Sequence, residues 1–358
     1  MFRWQRAPLD RIDAERVAII KPSALGDIVH ALPVLSAVRT RFPKAHVTWV
    51  VNRTYEPLLA GHADLDATLP FDRAGLKRGV GSLFTTLSGF LRALRRGRFD
   101  LVIDLQGLFR SAMMVWATFS PRRVGLATAR EGSRWFYTDV VPVPDAKAIH
   151  AVDRYWKVAE ALGVGDVPKR FTLPRSETAE AWAEATLREW PRPWVAVAPG
   201  ARWQTKRWLP AHFQTTTQLL QQRYGGTVVF VGGPEENPVA AQVASGLRGP
   251  TLNLAGTTTI PGLVSILARV DLLIGNDTGP LHVAAALGRP VAAPYTCTQV
   301  RLTGPYGAFG GAVQTNVWCA GSLHKKCSRM ECMAELLPER LWPAVEEALS
   351  RWQLQRPA

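Results

Sequence analysis

A chain of 358 residues is longer than one hydrophobic core usually serves, and its 47% hydrophobic and 20% charged residues exclude a disordered chain. A net charge of +14 and a pI near 10.2 ask for an anionic partner: nucleic acid, an acidic membrane surface or an acidic substrate. Four cysteines do not make a disulfide framework at this length, and no run approaches the roughly 20 apolar residues of a membrane span.

The N-terminal stretch MFRWQRAPLDRIDAER lacks the apolar core and cleavage site of a secretory signal, so a reducing, cytoplasmic setting is expected. The first structured segment is a buried strand, Val17–Ile20, running into the loop Lys21–Asp27. A helix follows, with Ile28, Leu32, Leu35 and Val38 at helical spacing. The loop matches neither the dinucleotide fingerprint nor a P-loop. It does bring one carboxylate, Asp27, beside His30 at a helix start. As a plain helix N-terminal charge, Asp27 contributes about 0.3–1 kcal/mol through the dipole.

Strands then alternate with helices at 46–51, 66–71, 100–105, 124–126 and 139–143, which argues for a parallel sheet covered by helices. Between Arg73 and Arg98 the chain is basic and amphipathic, setting Lys77, Arg78, Arg92, Arg95 and Arg96 against Leu83, Phe84, Phe90 and Leu94. Such a segment suits an anionic membrane surface, and suits a solvated helix face equally well. The Pro-bounded, strandless stretch 176–193 reads as a linker between domains at 1–175 and 194–337. A second alternating series covers 194–198, 227–231, 251–254, 272–274 and 290–294. A final helix at 338–358 is expected to pack back towards the first domain.

Three loops of the second series end strands on the carboxyl side, where ligands bind in open α/β sheets. PGARWQTKRW at 199–208 supplies cations and aromatics. GGPEE at 232–236 supplies carboxylates suited to ribose hydroxyls. GNDTGPLHVAAALG at 275–288 sets turn residues before a helix punctuated by Pro280 and Gly288, an N-terminus suited to phosphate.

With PSALGDIVHALPVL at 22–35 and GNDTGPLHVAAALGRPV at 275–291, these motifs resemble the family-nine glycosyltransferases, the ADP-heptose:lipopolysaccharide heptosyltransferases. ARE at 129–131 and HAVDR at 150–154 are similar to the heptosyltransferase I type. The resemblance spans roughly residues 16–350. It implies a GT-B fold: two Rossmann-like domains of doubly wound parallel sheet facing a cleft. It further implies an inverting, metal-independent transfer of heptose from ADP-heptose to an acidic Kdo–lipid A acceptor, with no cofactor beyond the nucleotide sugar.

By the same resemblance Asp27 is the catalytic base and Lys206 stabilises the diphosphate leaving group. Thr278 and Gly279 give backbone N–H groups to the phosphates, and Arg202 adds a phosphate contact. Glu236, or its neighbour Glu235, takes the ribose; Asp277 meets sugar hydroxyls and His282 supports the phosphates. Arg130 and Arg154 meet the acidic acceptor, although an ion pair with Asp153 explains Arg154 equally well.

Two features depart from the pattern. Ala201-Arg202 stands where some heptosyltransferases of the first type carry Thr-Thr, which leaves the donor sugar open. Cys319, Cys327 and Cys332, with Ser322 and His324 nearby, are similar to a cysteine-rich tail of some members, but their spacing fits no standard zinc pattern. Free thiols are therefore expected. A monomer peripheral to the inner membrane is expected, and no nucleic-acid motif accompanies the 13 tryptophans. Transfer of another sugar to another envelope glycolipid or glycan stays open, as does, more remotely, a basic nucleic-acid-binding role.

Overall fold

The computed structural model describes residues 7–73, 75, 80–307 and 310–354. Residues 1–6 of the N-terminal stretch, Lys77, Arg78 and the side chains of Leu83 and Phe84 lie outside what is described. The chain divides into two compact units, Met1–Pro174 and Arg175–Ala358.

The first unit runs β1 (Arg16–Ile20), α1 (Leu25–Arg41), β2 (His46–Asn52), β3 (Ala67–Phe71), α2 (Val80–Arg96), β4 (Leu101–Asp104), α3 (Phe109–Ala117), β5 (Arg122–Leu126), β6 (Asp139–Val141) and α4 (Ala151–Ala161). Its six strands lie in the order β3-β2-β1-β4-β5-β6, each neighbouring pair parallel. Val17, Ala18, Ile19 and Ile20 of central β1 are all fully buried, as expected of a strand covered on both faces.

The second unit begins with α5 (Glu177–Arg188), β7 (Trp194–Ala198), α6 (Pro210–Tyr224), β8 (Thr227–Phe230), α7 (Asn237–Ala244) and β9 (Thr251–Asn253). It continues with α8 (Ile260–Leu267), β10 (Leu272–Gly275), α9 (Gly279–Ala286), β11 (Val291–Tyr295), α10 (Val300–Thr303), β12 (Gly310–Gln314), α11 (Glu331–Glu335) and α12 (Pro338–Leu354). Its sheet order, β12-β11-β10-β7-β8-β9, repeats the connectivity of the first. Strand β12, sequence GGAVQ, was not anticipated. Two glycines and no polar alternation leave little local signal, and pairing along β11 makes it a strand.

Two expectations are corrected. The stretch read as a linker contains α5, which belongs to the second unit: Ala183 and Leu187 are buried, and Glu180 ties it to α8. The final helix packs in the second core, where Leu341, Val345, Ala348 and Leu349 are fully buried with β10 and Phe213. An apolar face of four residues goes where it removes most surface from water, and here that is the second sheet.

Glu180 is the polar pin of α5. Arg175 Nε donates to Oε1 at 2.6 Å, Ser265 Oγ donates to the same oxygen at 2.6 Å, and Arg269 pairs with Oε2. Arg175 first, then Ser265 and Arg269, hold its carboxyl down at about 2, against an ordinary 4.5. A lowered folded value stabilises the fold above pH ~4.5, and that contribution is lost as pH falls towards 2. Glu180→Gln is expected to flatten the acid limb of denaturant stability between those values. A parallel acid limb would mean that other carboxylates carry it.

Candidate active site

In both sheets the strand order reverses beside the first strand of the unit, and ligands bind at the carboxyl ends of the strands flanking such a switch point. In the first unit those strands are β1 and β4. Past β1, Asp27 sits at the third position of α1, and its Oδ2 accepts the Ala24 N–H at 3.1 Å, fixing the helix start. Its Oδ1 lies 3.7 Å from Lys21 Nζ and 3.5 Å from the Tyr155 hydroxyl, while the side chain stays 46% exposed.

Lys21 is 2% exposed and donates to Leu105 O at 3.2 Å and to Tyr155 Oη at 2.9 Å. Burial alone would favour its neutral form, but Asp27, Tyr155 and Asp104 outweigh that and hold it above the ordinary lysine value. Burial pushes the Tyr155 phenol up, so it stays protonated as a donor. A buried ammonium and a phenol thus brace an accessible carboxylate.

At the carboxyl end of β4, Asp104 is 1% exposed and organises the neighbouring loop. Its Oδ1 accepts the N–H groups of Gln106 and Gly107, and its Oδ2 accepts the hydroxyls of Ser111 and Tyr137, both at 2.8 Å. Gly107 O then receives the Arg130 N–H at 2.8 Å, which sets the exposed Arg130 beside that loop. Burial nevertheless holds the Asp104 carboxyl above the ordinary value.

In the second unit the flanking strands are β7 and β10, and one ion pair joins the loops that follow them. Lys206 Nζ meets Asp277 Oδ2 at 2.6 Å and Asp277 O at 3.3 Å. Asp277 also receives Thr298 Oγ1 at 2.7 Å, while the Tyr295 hydroxyl and His282 Nε2 lie 3.1 Å from its Oδ1. Burial would raise the Asp277 carboxyl, but the His282 contact and the Lys206 charge outweigh it and hold it far below the carboxylate range. Four partners meet its two oxygens, so Asp277 orients Lys206 and His282.

Lys206 retains one of its three N–H groups beyond those two contacts. Beside it, α9 opens with Thr278 extended at the N-cap and Gly279 in the first turn. Gly288, at φ +69°, ends the same segment in the left-handed conformation. Asn276 clips the two loops together: its Oδ1 accepts Trp208 N–H at 3.0 Å and its Nδ2 donates to Pro199 O at 2.7 Å. Glu236 Oε2 takes the Gly233 N–H at 2.8 Å, and its stem lies against Gly200, where a Cβ would come within 2.4 Å of it. Burial and the Glu235 charge raise the Glu236 carboxyl, whereas Glu235 itself is exposed.

Glycosyltransferase family 9 (heptosyltransferase) is the family whose sequence profile matches residues 88–333. The chain belongs to that family. Lipopolysaccharide heptosyltransferase 1 of Pseudomonas aeruginosa is 30% identical over 333 residues, 87% of this chain and 87% of that protein. A family 9 glycosyl transferase from Veillonella parvula superposes with a TM-score of 0.84 at 24% identity, over 95% of this chain and 99% of that one. The E. coli heptosyltransferase WaaC with ADP-2-deoxy-2-fluoro heptose superposes with a TM-score of 0.71 at 24% identity, over 94% and 99%. This family 9 chain is thus a glycosyltransferase with the GT-B type of α/β fold.

Within the family 9 chain, the residues singled out from the sequence fall in three groups. Lys206, Asp277 and His282 come together with Thr278 and Gly279 at the second switch point, with Glu236 one strand away. Asp27 stands at the first switch point, and Arg130 follows from the Gly107 loop. Arg202 is exposed. Arg154 donates to Ile149 O at 2.9 Å, and Asp153 pairs with Lys169 at 2.6 Å. The four cysteines are free thiols, and no metal-binding group of three or more His, Cys, Asp or Glu occurs among the described residues. Sequence reading missed Lys21, Tyr155, Asp104, Tyr295 and Thr298. Lys21 stands one residue before the PSALGDIVHALPVL motif, and Asp104 lies in the strand expected at 100–105.

Proposed function

We propose that this family 9 enzyme transfers heptose from ADP-heptose to an acidic, lipid-linked acceptor of the Kdo–lipid A type, with inversion and without a metal ion. The observation carrying this reading is the Lys206–Asp277–His282 cluster beside the start of α9, whose N-cap Thr278 makes no side-chain cap hydrogen bond. A lysine with an uncommitted N–H at a helix N-terminus is an environment for developing diphosphate charge. The relative named a lipopolysaccharide heptosyltransferase 1 supports the acceptor class, and the WaaC complex with an ADP-heptose analogue supports the donor.

In this reading the acceptor hydroxyl gives its proton to Asp27 as its oxygen bonds to the anomeric carbon. The bond from that carbon to the diphosphate oxygen breaks, and ADP leaves with the electron pair onto Lys206 and the N–H groups of Thr278 and Gly279. Glu236 receives the ribose hydroxyls, and Arg130 and Arg154 meet acceptor anions. ADP release on mixing the enzyme with ADP-heptose and Kdo–lipid A, with the product identified by mass, tests the reading. Release that needs added Mg²⁺ or stops with EDTA would sink the metal-free part. The Ala201-Arg202 pair favours a second reading, a different ADP-sugar, which a donor panel separates.

Tyr155→Phe removes the hydroxyl that joins Lys21 to Asp27. A net hydrogen bond of about 1 kcal/mol corresponds to roughly a fivefold drop in kcat. Donor KM is expected to stay put, because the donor contacts lie in the other unit. A change in donor KM alone would refute a positioning role.

A further inference from the structure

The basic, amphipathic segment at 73–98 offered one candidate membrane surface, but among its described apolar residues only Leu87 is exposed, at 39%. Phe90 and Leu94 of α2 are buried in the first core, leaving Arg92, Arg95 and Arg96 exposed. The exposed apolar face belongs instead to α3. Phe109, Met113 and Trp116 recur at helical spacing on its outer side, with Trp116 49% and Phe109 48% exposed. Phe119, 61% exposed, continues the stripe, its ring 6.0 Å from Trp116. At the other end Phe109 packs edge-on to Phe136, and the neighbouring Trp135 is 91% exposed. Contiguous exposed aromatics of this kind mark an interaction surface.

The charge around the stripe says what that surface meets. The Arg95 guanidinium lies 5.0 Å from the Phe119 ring centre, with Arg92 and Arg96 exposed on the same helix as Arg95. Arg110 and Arg134 are exposed at the Phe109 end. Glu131 is the acidic neighbour there, its Oε2 occupied by the Phe109 N–H at 3.1 Å. Aromatic side chains favour the headgroup level of a bilayer, and arginines bordering them favour anionic lipid.

We infer that the outer face of α3, with Phe119 and Trp135, seats in the headgroup region of an anionic bilayer, with the α2 arginines on lipid phosphates. The inference rests on the lipid-linked acceptor of the proposed function for its purpose. That acceptor would then rise out of the same membrane close to Arg130, whose backbone is bonded to the loop just before α3.

The test is flotation of the full chain with phosphatidylglycerol–phosphatidylcholine vesicles, with no sugar donor present, so the outcome is independent of donor identity. The unmutated protein is expected to float with these vesicles and to do so far less with pure phosphatidylcholine. Trp116→Ser/Phe119→Ser is expected to lower partitioning at least about tenfold. Arg92→Gln/Arg96→Gln is expected to lower it about fivefold per charge, and only on the anionic vesicles. Both variants should keep the unmutated melting temperature and turn over a deacylated, water-soluble acceptor at the unmutated rate. Equal flotation of the Ser variant, or no flotation of the unmutated protein, overturns the inference. So does a dimer by light scattering that becomes a monomer in the Ser variant with vesicle binding unchanged, since the stripe would then seat a second copy.

Discussion

Asp27→Asn is expected to lower ADP release by about 10²–10⁴-fold, the usual range for a lost general base. The amide keeps an oxygen for the Ala24 N–H, the contact by which Asp27 fixes the start of α1, so the fold should be unaffected. It removes the capacity to take a proton, together with the charge that helps hold the buried Lys21 protonated. The carboxylate suits that role because it is the accessible member of its group: Lys21 is buried and held charged, and Tyr155 is held protonated. Donor affinity should persist, since the residues proposed to hold ADP lie in the second unit. Nucleotide binding by calorimetry, beside single-turnover product formation, separates the two effects. Unchanged turnover in Asp27→Asn would move the base elsewhere.

Lys206→Ala is expected to cost about 10²–10³-fold in kcat, the scale of one lost electrostatic contact to a leaving oxyanion. It also strands a buried carboxylate. Asp277 is 6% exposed and loses its cation, and breaking a buried pair typically costs about 3–5 kcal/mol. A bare loss of activity would therefore be ambiguous between chemistry and folding. The double variant Lys206→Ala/Asp277→Asn resolves it, because a neutral amide needs no counter-ion. Stability should recover in the double variant while turnover stays low. Turnover that recovers along with stability would show that Lys206 serves only to neutralise Asp277.

Much of the fold was legible because parallel strands and their helices write local patterns. The unbroken apolar run at 17–20, the Pro280 and Gly288 punctuation and the repeated strand–loop–helix unit each depend on near neighbours in the chain. The positions of Asp27, Lys206 and Glu236 shortly after strands followed from the same patterns. Their partners did not. Tyr155 is 128 residues from Asp27 and Thr298 is 21 from Asp277, and nothing in the local sequence distinguishes either from an ordinary helix or loop residue.

Asp277 shows the division most clearly. Its place between a short buried strand and a helix start was readable from DLLIGNDTGP alone, as was the likelihood of phosphate at that helix end. Its enclosure by Lys206, His282, Tyr295 and Thr298 came only with the sheet order, which sets β7, β10 and β11 side by side. The same holds for the surfaces. The amphipathic period of α2 says that one face is apolar, not that Phe90 and Leu94 meet the sheet while the aromatics of α3 do not. By itself the sequence determined the family, the alternating architecture and the loops that carry charge, because those are properties of neighbouring residues. Which carboxylate stays accessible, which is enclosed by partners and which apolar face is left exposed were decided by tertiary packing. Burial and hydrogen-bond partners are set by residues far apart in the chain.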